Sequence, residues 1–181
     1  MIDAAEAVRQ VRERLAPLRR TSWVGVDGMG ASGKTTFAET LRGALDGSVV
    51  VHVDDFARPG VPTWHHDLFT SQVLQPLLAG RAARWQRWDL AADRPLDWQH
   101  APPGVPVVVE GVSATDRRLA VPWDLTVWVD VPAAVRHARA RARDGERVWR
   151  ERWLAEWIPS EEDYLAQQRP DLRADLVVDG R

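Results

Sequence analysis

Cysteine is absent from the 181 residues. That excludes disulfides, thiolate metal sites and a cysteine nucleophile. Asparagine is absent too, and lysine occurs once, at Lys34. An Asn-Lys-x-Asp element, with which nucleotide-driven switches read guanine, therefore cannot be built. No apolar run reaches the length of about 20 residues that spans a bilayer, and the amino-terminal stretch lacks a cleavable apolar segment. A soluble, cytoplasmic chain without a membrane partner is the expectation. Net charge is −2, so no global field favours nucleic acid. The length suits one domain over 1–181 with a full core of its own.

What is present is concentrated in one stretch. Gly28-Met29-Gly30-Ala31-Ser32-Gly33-Lys34-Thr35 fits G-x-x-x-x-G-K-[ST] at every fixed position. Glycines let successive N–H groups turn inward onto phosphate oxygens. Lys34 supplies a compact cation, and the Thr35 hydroxyl is placed for Mg²⁺. The flanks agree: Ser22 to Val26 reads as a buried strand, and Thr36 to Leu41 opens a helix whose N-terminus favours an anion. Gly28 through Thr36 are the candidate nucleotide-binding residues. Every other basic position is arginine, so the one lysine stands where a flexible point charge serves phosphate.

Elsewhere, strand-like and helix-like patterns alternate. Asp3 to Leu18 carries Val8, Val11, Leu15 and Leu18 at helical spacing. Ser48–Val53, Val105–Val109, Asp124–Val129 and Ala174–Val178 read as strands of a parallel sheet covered on both faces. Asp67 is positioned to cap a helix that Pro76 should kink or divide. Arg84 to Trp98 reads as a hairpin or irregular excursion, and Ser160-Glu161-Glu162 as the capped start of another helix.

Three strand ends bring the phosphate loop, Asp54-Asp55 and Glu110 to one sheet edge. One carboxylate there can deprotonate an acceptor hydroxyl while another holds Mg²⁺. Arg136, Arg139 and Arg143 share a helical face and can neutralise a transferring phosphoryl group. A solvated helix face is the alternative reading for each of them.

These residues together resemble the P-loop kinase group of uridine kinase, phosphoribulokinase and bacterial pantothenate kinase, uridine kinase most of all. The similarity runs through Val24 to Thr35, Val53-Asp54-Asp55-Phe56, Val107 to Gly111, Asp124 to Asp130, Arg136 to Asp144 and Ala174 to Val178. It implies an α/β P-loop NTPase fold, a three-layer sandwich around a five-stranded parallel sheet. An arginine-rich helical lid would cover about 139–158, and an acceptor-binding excursion about 57–100. The implied activity is ATP- and Mg²⁺-dependent phosphotransfer to a small-molecule hydroxyl, with a nucleoside such as uridine or cytidine as the default acceptor. Asp54 takes the role of base by that resemblance. Thr35 and Glu110 take that of Mg²⁺ ligands, and Lys34, Arg139 and Arg143 that of catalytic cations. Trp64 stands where uridine kinases carry a ribose-binding aspartate, with Asp67 close by. Trp88-Asp89 resembles the family's Tyr-Asp pair beside the base. A non-nucleoside alcohol (sugar phosphate, vitamin precursor or antibiotic) and a non-catalytic ATP-binding regulator remain the alternatives. Monomer and homo-oligomer are equally open.

Overall fold

The computed structural model describes residues 1–61, 63–89 and 92–181. Its first element, helix α1 (Ala4–Leu15), is capped by Asp3, whose carboxylate accepts the Glu6 N–H at 2.8 Å. The helix buries Ala7, Val11 and Leu15 and stops before Pro17. Strand β1 (Ser22–Asp27) is buried at all six residues, as expected of the central strand of a covered sheet. The phosphate loop then leads into α2 (Lys34–Ala44), which buries Phe37, Ala38 and Leu41.

Strand β2 (Val49–His52) passes into a 3-10 turn, Val53–Phe56, so Asp54 and Asp55 sit on a tight turn past the strand end rather than on the strand. The next helix is divided, as Pro76 requires. Helix α3 (His66–Phe69), a π-helical turn (Thr70–Leu74) and α4 (Gln75–Leu78) follow one another, with Pro76 in the first turn of the last piece. The backbone stays helical through Leu74 and Gln75, and the wider π turn just before Pro76 is where the helix accommodates the missing proline N–H. The cap of α3 is His65; Asp67 lies inside the first turn and is no cap.

Strands β3 (Ala83–Asp89) and β4 (Arg94–Ala101) form an antiparallel hairpin with a register shift between Gln86 and Trp88. Part of its turn, like Pro62 in the preceding loop, lies outside the described residues. Strands β5 (Pro106–Glu110), β6 (Leu125–Asp130) and β7 (Leu176–Asp179) complete the main sheet. Its order is β2-β5-β1-β6-β7, parallel throughout. The expected five-stranded parallel sheet is the one observed.

Period-2 alternation sorts the strands onto two cores. Trp23, Val107 and Val109 face the divided helix and hairpin, whereas Val24, Val26 and Val108 face α1 and α2. After β6, α5 (Ala133–Val148) is interrupted at Gly145, where φ is 82°. A π-helical segment, Trp149–Trp157, runs without a break into α6 (Ile158–Gln168). Ser160 is therefore interior to a continuing helix and does not start one. Trp149 and Trp153 pack with Ala140 and Ile158 in a third, small core of this arm. A short helix, α7 (Pro170–Arg173), returns the chain to β7. Among the described residues no helix is long and apolar enough to cross a membrane.

A candidate phosphotransfer site

A cleft of about 890 Å³ opens at the carboxyl edge of the sheet, where a switch in strand order leaves room between loops. The phosphate loop forms its floor. Gly28, Met29, Gly30 and Ser32 are buried, and Gly30, Ala31, Gly33, Lys34, Thr35 and Thr36 line the cleft. At Gly28 φ is +152°, and a Cβ there would lie 2.6 Å from the Val129 carbonyl oxygen. Only glycine fits that approach. The Ser32 hydroxyl is fully buried without a hydrogen-bond partner among the described residues. Such an orphan is costly unless something comes to meet it, and a phosphate oxygen has the right chemistry. The loop fits a nucleotide.

Lys34 is also buried, and its ammonium donates to the Met29 carbonyl at 2.9 Å. Burial lowers its pKa, against the pull of Glu110, Glu161, Asp27 and Asp54. Thr35 Oγ1 donates to Glu110 Oε1 at 3.1 Å, and His52 Nδ1 meets the same oxygen at 2.6 Å. The Glu110 hydrogen bond and nearby carboxylates raise the His52 pKa against its burial. Among the described residues no cluster of three or more His, Cys, Asp or Glu side chains could hold a metal by itself. An all-oxygen pair, Thr35 and Glu110, suits Mg²⁺, which takes few protein ligands and completes its shell with phosphate and water.

Asp54 reaches the cleft from the 3-10 turn. Its side chain is exposed to the cleft, whose walls nonetheless displace part of its hydration. That desolvation and the Glu110 charge raise its pKa, while Lys34 and His52 oppose the shift. Asp55 points the other way: it is buried, accepts the Trp85 indole N–H at 2.9 Å, and lies 3.4 Å from Arg87 Nε. Those bonds tie the turn bearing Asp54 to the hairpin.

Arg139 and Arg143 line the cleft from α5, Arg139 donating to the Gly180 carbonyl at 2.9 Å and Arg143 pairing with Asp144 at 2.8 Å. Arg136 does not join them. It is buried behind the loop, donating to the Val131 and Gly30 carbonyls. At the other end, Trp88 lines the cleft, whereas Trp64 is a core residue with only an edge on it. Its indole N–H donates to Ser113 Oγ at 3.0 Å. Asp67 is exposed, and neither it nor Asp89 lines the cleft; Asp89 accepts the Ala92 N–H in the hairpin.

Three further residues carry no motif of their own. Glu161, buried on α6, accepts the Gly30 N–H at 2.8 Å. Asp27 accepts from Gly28 N, Ser113 N, Thr115 N, Thr115 Oγ1 and Tyr164 Oη, all within 3.0 Å. The only available signals were the position of Asp27 just before the loop and the uniqueness of Tyr164.

No family model matches this chain, and no curated protein matches it either. Solved structures do. A candidate uridine kinase from Bacillus stearothermophilus superimposes with a TM-score of 0.71 at 19% identity, covering 97% of this chain and 98% of that one. A candidate fructose transport system kinase from Silicibacter sp. TM1040 gives 0.67 at 21% identity, covering 98% and 99%. Both are matched along essentially their whole length. The fold of this chain is that of these two structures, a five-stranded parallel sheet with flanking helices.

Proposed function

We propose that this chain is an ATP- and Mg²⁺-dependent kinase of a small-molecule hydroxyl. The observation that carries the proposal is convergence. A complete phosphate loop, Asp54, Glu110 and two α5 arginines open onto one cleft. The loop N–H groups and Lys34 hold the nucleotide phosphates. Thr35 and Glu110 hold Mg²⁺, which when bound neutralises charge on the phosphates. Asp54 accepts the acceptor's hydroxyl proton as the new O–P bond forms and the bond to the ADP oxygen breaks. Its raised pKa makes it a better proton acceptor than an ordinary aspartate. Arg139 and Arg143 stabilise the charge spread over the transferring group, and the arm over 139–158 closes as a lid that excludes water.

The resemblance to uridine kinase makes a nucleoside the first acceptor to test. The placement of Trp64 in the core and of Asp67 outside the cleft favours the second reading, a non-nucleoside alcohol. ADP release with Mg-ATP, against uridine, cytidine and a panel of other alcohols, tests both. ATP binding without acceptor-stimulated ADP release would identify a regulator and overturn the kinase.

A further inference from the structure

Arg58 follows the turn that bears Asp54, and its guanidinium lies over the Trp88 ring, 4.4 Å from the centroid. Trp88 lines the cleft, as do Ala57 and Thr63 on either side of this loop, and Arg58, stacked on Trp88, lies just outside the lining itself. Arg58 is half-buried, and burial pulls its pKa down. Stacking on an indole fixes the guanidinium plane. Nη1 is spent on two backbone carbonyls, donating to Asp55 O at 2.9 Å and Ala57 O at 2.7 Å. Nε and Nη2 have no partner among the described residues, and Arg58 makes no ion pair there. The nearest acid, Asp55, is already engaged by Trp85 and Arg87.

The free Nε–Nη2 edge is the one with which arginine takes a carboxylate or phosphate by two parallel hydrogen bonds. A cation that is partly desolvated, clamped in plane and left unpaired is costly unless a ligand pairs it. We propose, on the kinase reading above, that the acceptor alcohol carries an anionic group, a phosphate ester or a carboxylate, which Arg58 receives while the hydroxyl faces Asp54. Trp88 serves as the wall that orients the guanidinium rather than as a platform for a base on that face.

The test measures ADP release by the full chain with Mg-ATP on matched pairs. Ribose 5-phosphate against ribose forms the phosphate arm, and glycerate against glycerol the carboxylate arm, with uridine as a neutral nucleoside. The anionic members are also titrated calorimetrically into ADP-saturated protein. In one arm the anionic member should exceed its neutral partner by about tenfold or more, the worth of a charge-assisted pair. That arm names the group. Arg58→Met should erase the preference through KM while ATP binding stays unchanged, and Arg58→Lys should keep part of it, which separates lost charge from lost folding. Equal or better turnover of the neutral members overturns the proposal. So does a preference that survives in Arg58→Met, or failure of every anionic probe to bind. Turnover of uridine regardless of Arg58 removes the proposal and leaves the kinase standing. Arg58-dependent binding without any acceptor-stimulated ADP release leaves the anion site standing and removes the kinase.

Discussion

Glu161 and Gly30, 131 positions apart, meet at 2.8 Å, the carboxylate of one accepting the amide N–H of the other. Arg136 holds the opposite side of the same residue, donating to the Gly30 carbonyl at 3.4 Å and lying 4.0 Å from Glu161. A Cβ on Gly30 would come within 2.6 Å of both Glu161 and the Trp153 ring. The middle of the phosphate loop is thus gripped by the arm around the expected 139–158 lid: Arg136 and Glu161 flank that segment, and Trp153 within it packs against Gly30. A change in that arm reaches the loop directly, through two hydrogen bonds and an aromatic contact.

Replacing Glu161 separates its charge from its hydrogen bond. Burial raises its carboxyl pKa, against the Gly30 hydrogen bond and nearby cations. The folded state therefore penalises the ionised form, and stability falls as pH rises from the ordinary value of 4.5 through the folded one. Glu161→Gln keeps a carbonyl acceptor without the charge and should equal or exceed the wild type in stability at neutral pH. Glu161→Ala orphans the Gly30 N–H and should cost about 1–3 kcal/mol. Urea unfolding at pH 5 and pH 8 reads both, and an alanine variant as stable as the wild type would refute the account.

Asp54 should show the trade of stability for function. Asp54→Asn should slow transfer by about 10²- to 10⁴-fold, the usual worth of a general base, with ATP binding retained. The Asp54 pKa is raised, so the folded apoprotein again penalises the anion. Asp54→Asn should accordingly melt above the wild type at neutral pH. The gap should close as pH falls toward 3.8, where the wild-type carboxyl protonates in both states. Full transfer activity in Asp54→Asn would remove this residue from the mechanism.

The fold and the loop that floors the cleft were legible because both rest on local pattern. Valine runs gave the strands, and the phosphate loop needs eight adjacent residues to be recognised. Pro76 disturbed its helix, into a π turn just before it, for a reason visible in the residue alone. Asp67 and Ser160 misled because a capping residue is defined by the backbone around it. The helix at Ser160 was already under way from the tryptophan segment. Trp64 was chosen by its place in the resemblance and Arg136 by helical spacing, but which side of an element faces the core is settled by tertiary packing. Glu161 and Asp27 act on residues far away in the chain. No local pattern encodes such a meeting.

Glu110 gives the test of the metal pair. His52 holds the carboxylate oxygen that also accepts from Thr35. Partners of this kind orient a metal ligand, and removing one typically weakens metal binding about 10- to 100-fold. His52→Ala should raise the Mg²⁺ concentration for half-maximal nucleotide binding by about tenfold. It should also lower the melting temperature, because it takes a 2.6 Å hydrogen bond from the buried Glu110. Thr35→Ala should act in the same direction, and Thr35→Ser should restore the wild-type value. An unchanged Mg²⁺ requirement in both His52→Ala and Thr35→Ala would exclude this pair as the metal site.

Asp27 should matter to the whole molecule and not to catalysis alone. It is 1% exposed, and its two oxygens take five hydrogen bonds from four residues. These join the end of β1, the loop after β5 and the middle of α6. An asparagine in its place must turn an NH₂ group toward donors. At the Oδ1 position it faces the Gly28 and Ser113 N–H groups, and at the Oδ2 position it faces the Thr115 N–H while both hydroxyls have to reverse and accept. Asp27→Asn should cost about 3 kcal/mol or more, since hydrogen bonds to a buried charge are worth about 1.5–3 kcal/mol each. Tyr164→Phe removes one of the five, the 2.6 Å bond to Oδ2, and should cost about 1.5–3 kcal/mol. In the double variant the costs should fall short of additive, because the tyrosine hydroxyl has lost its acceptor already. A full sum of the two single effects would show that Tyr164 does not act through Asp27.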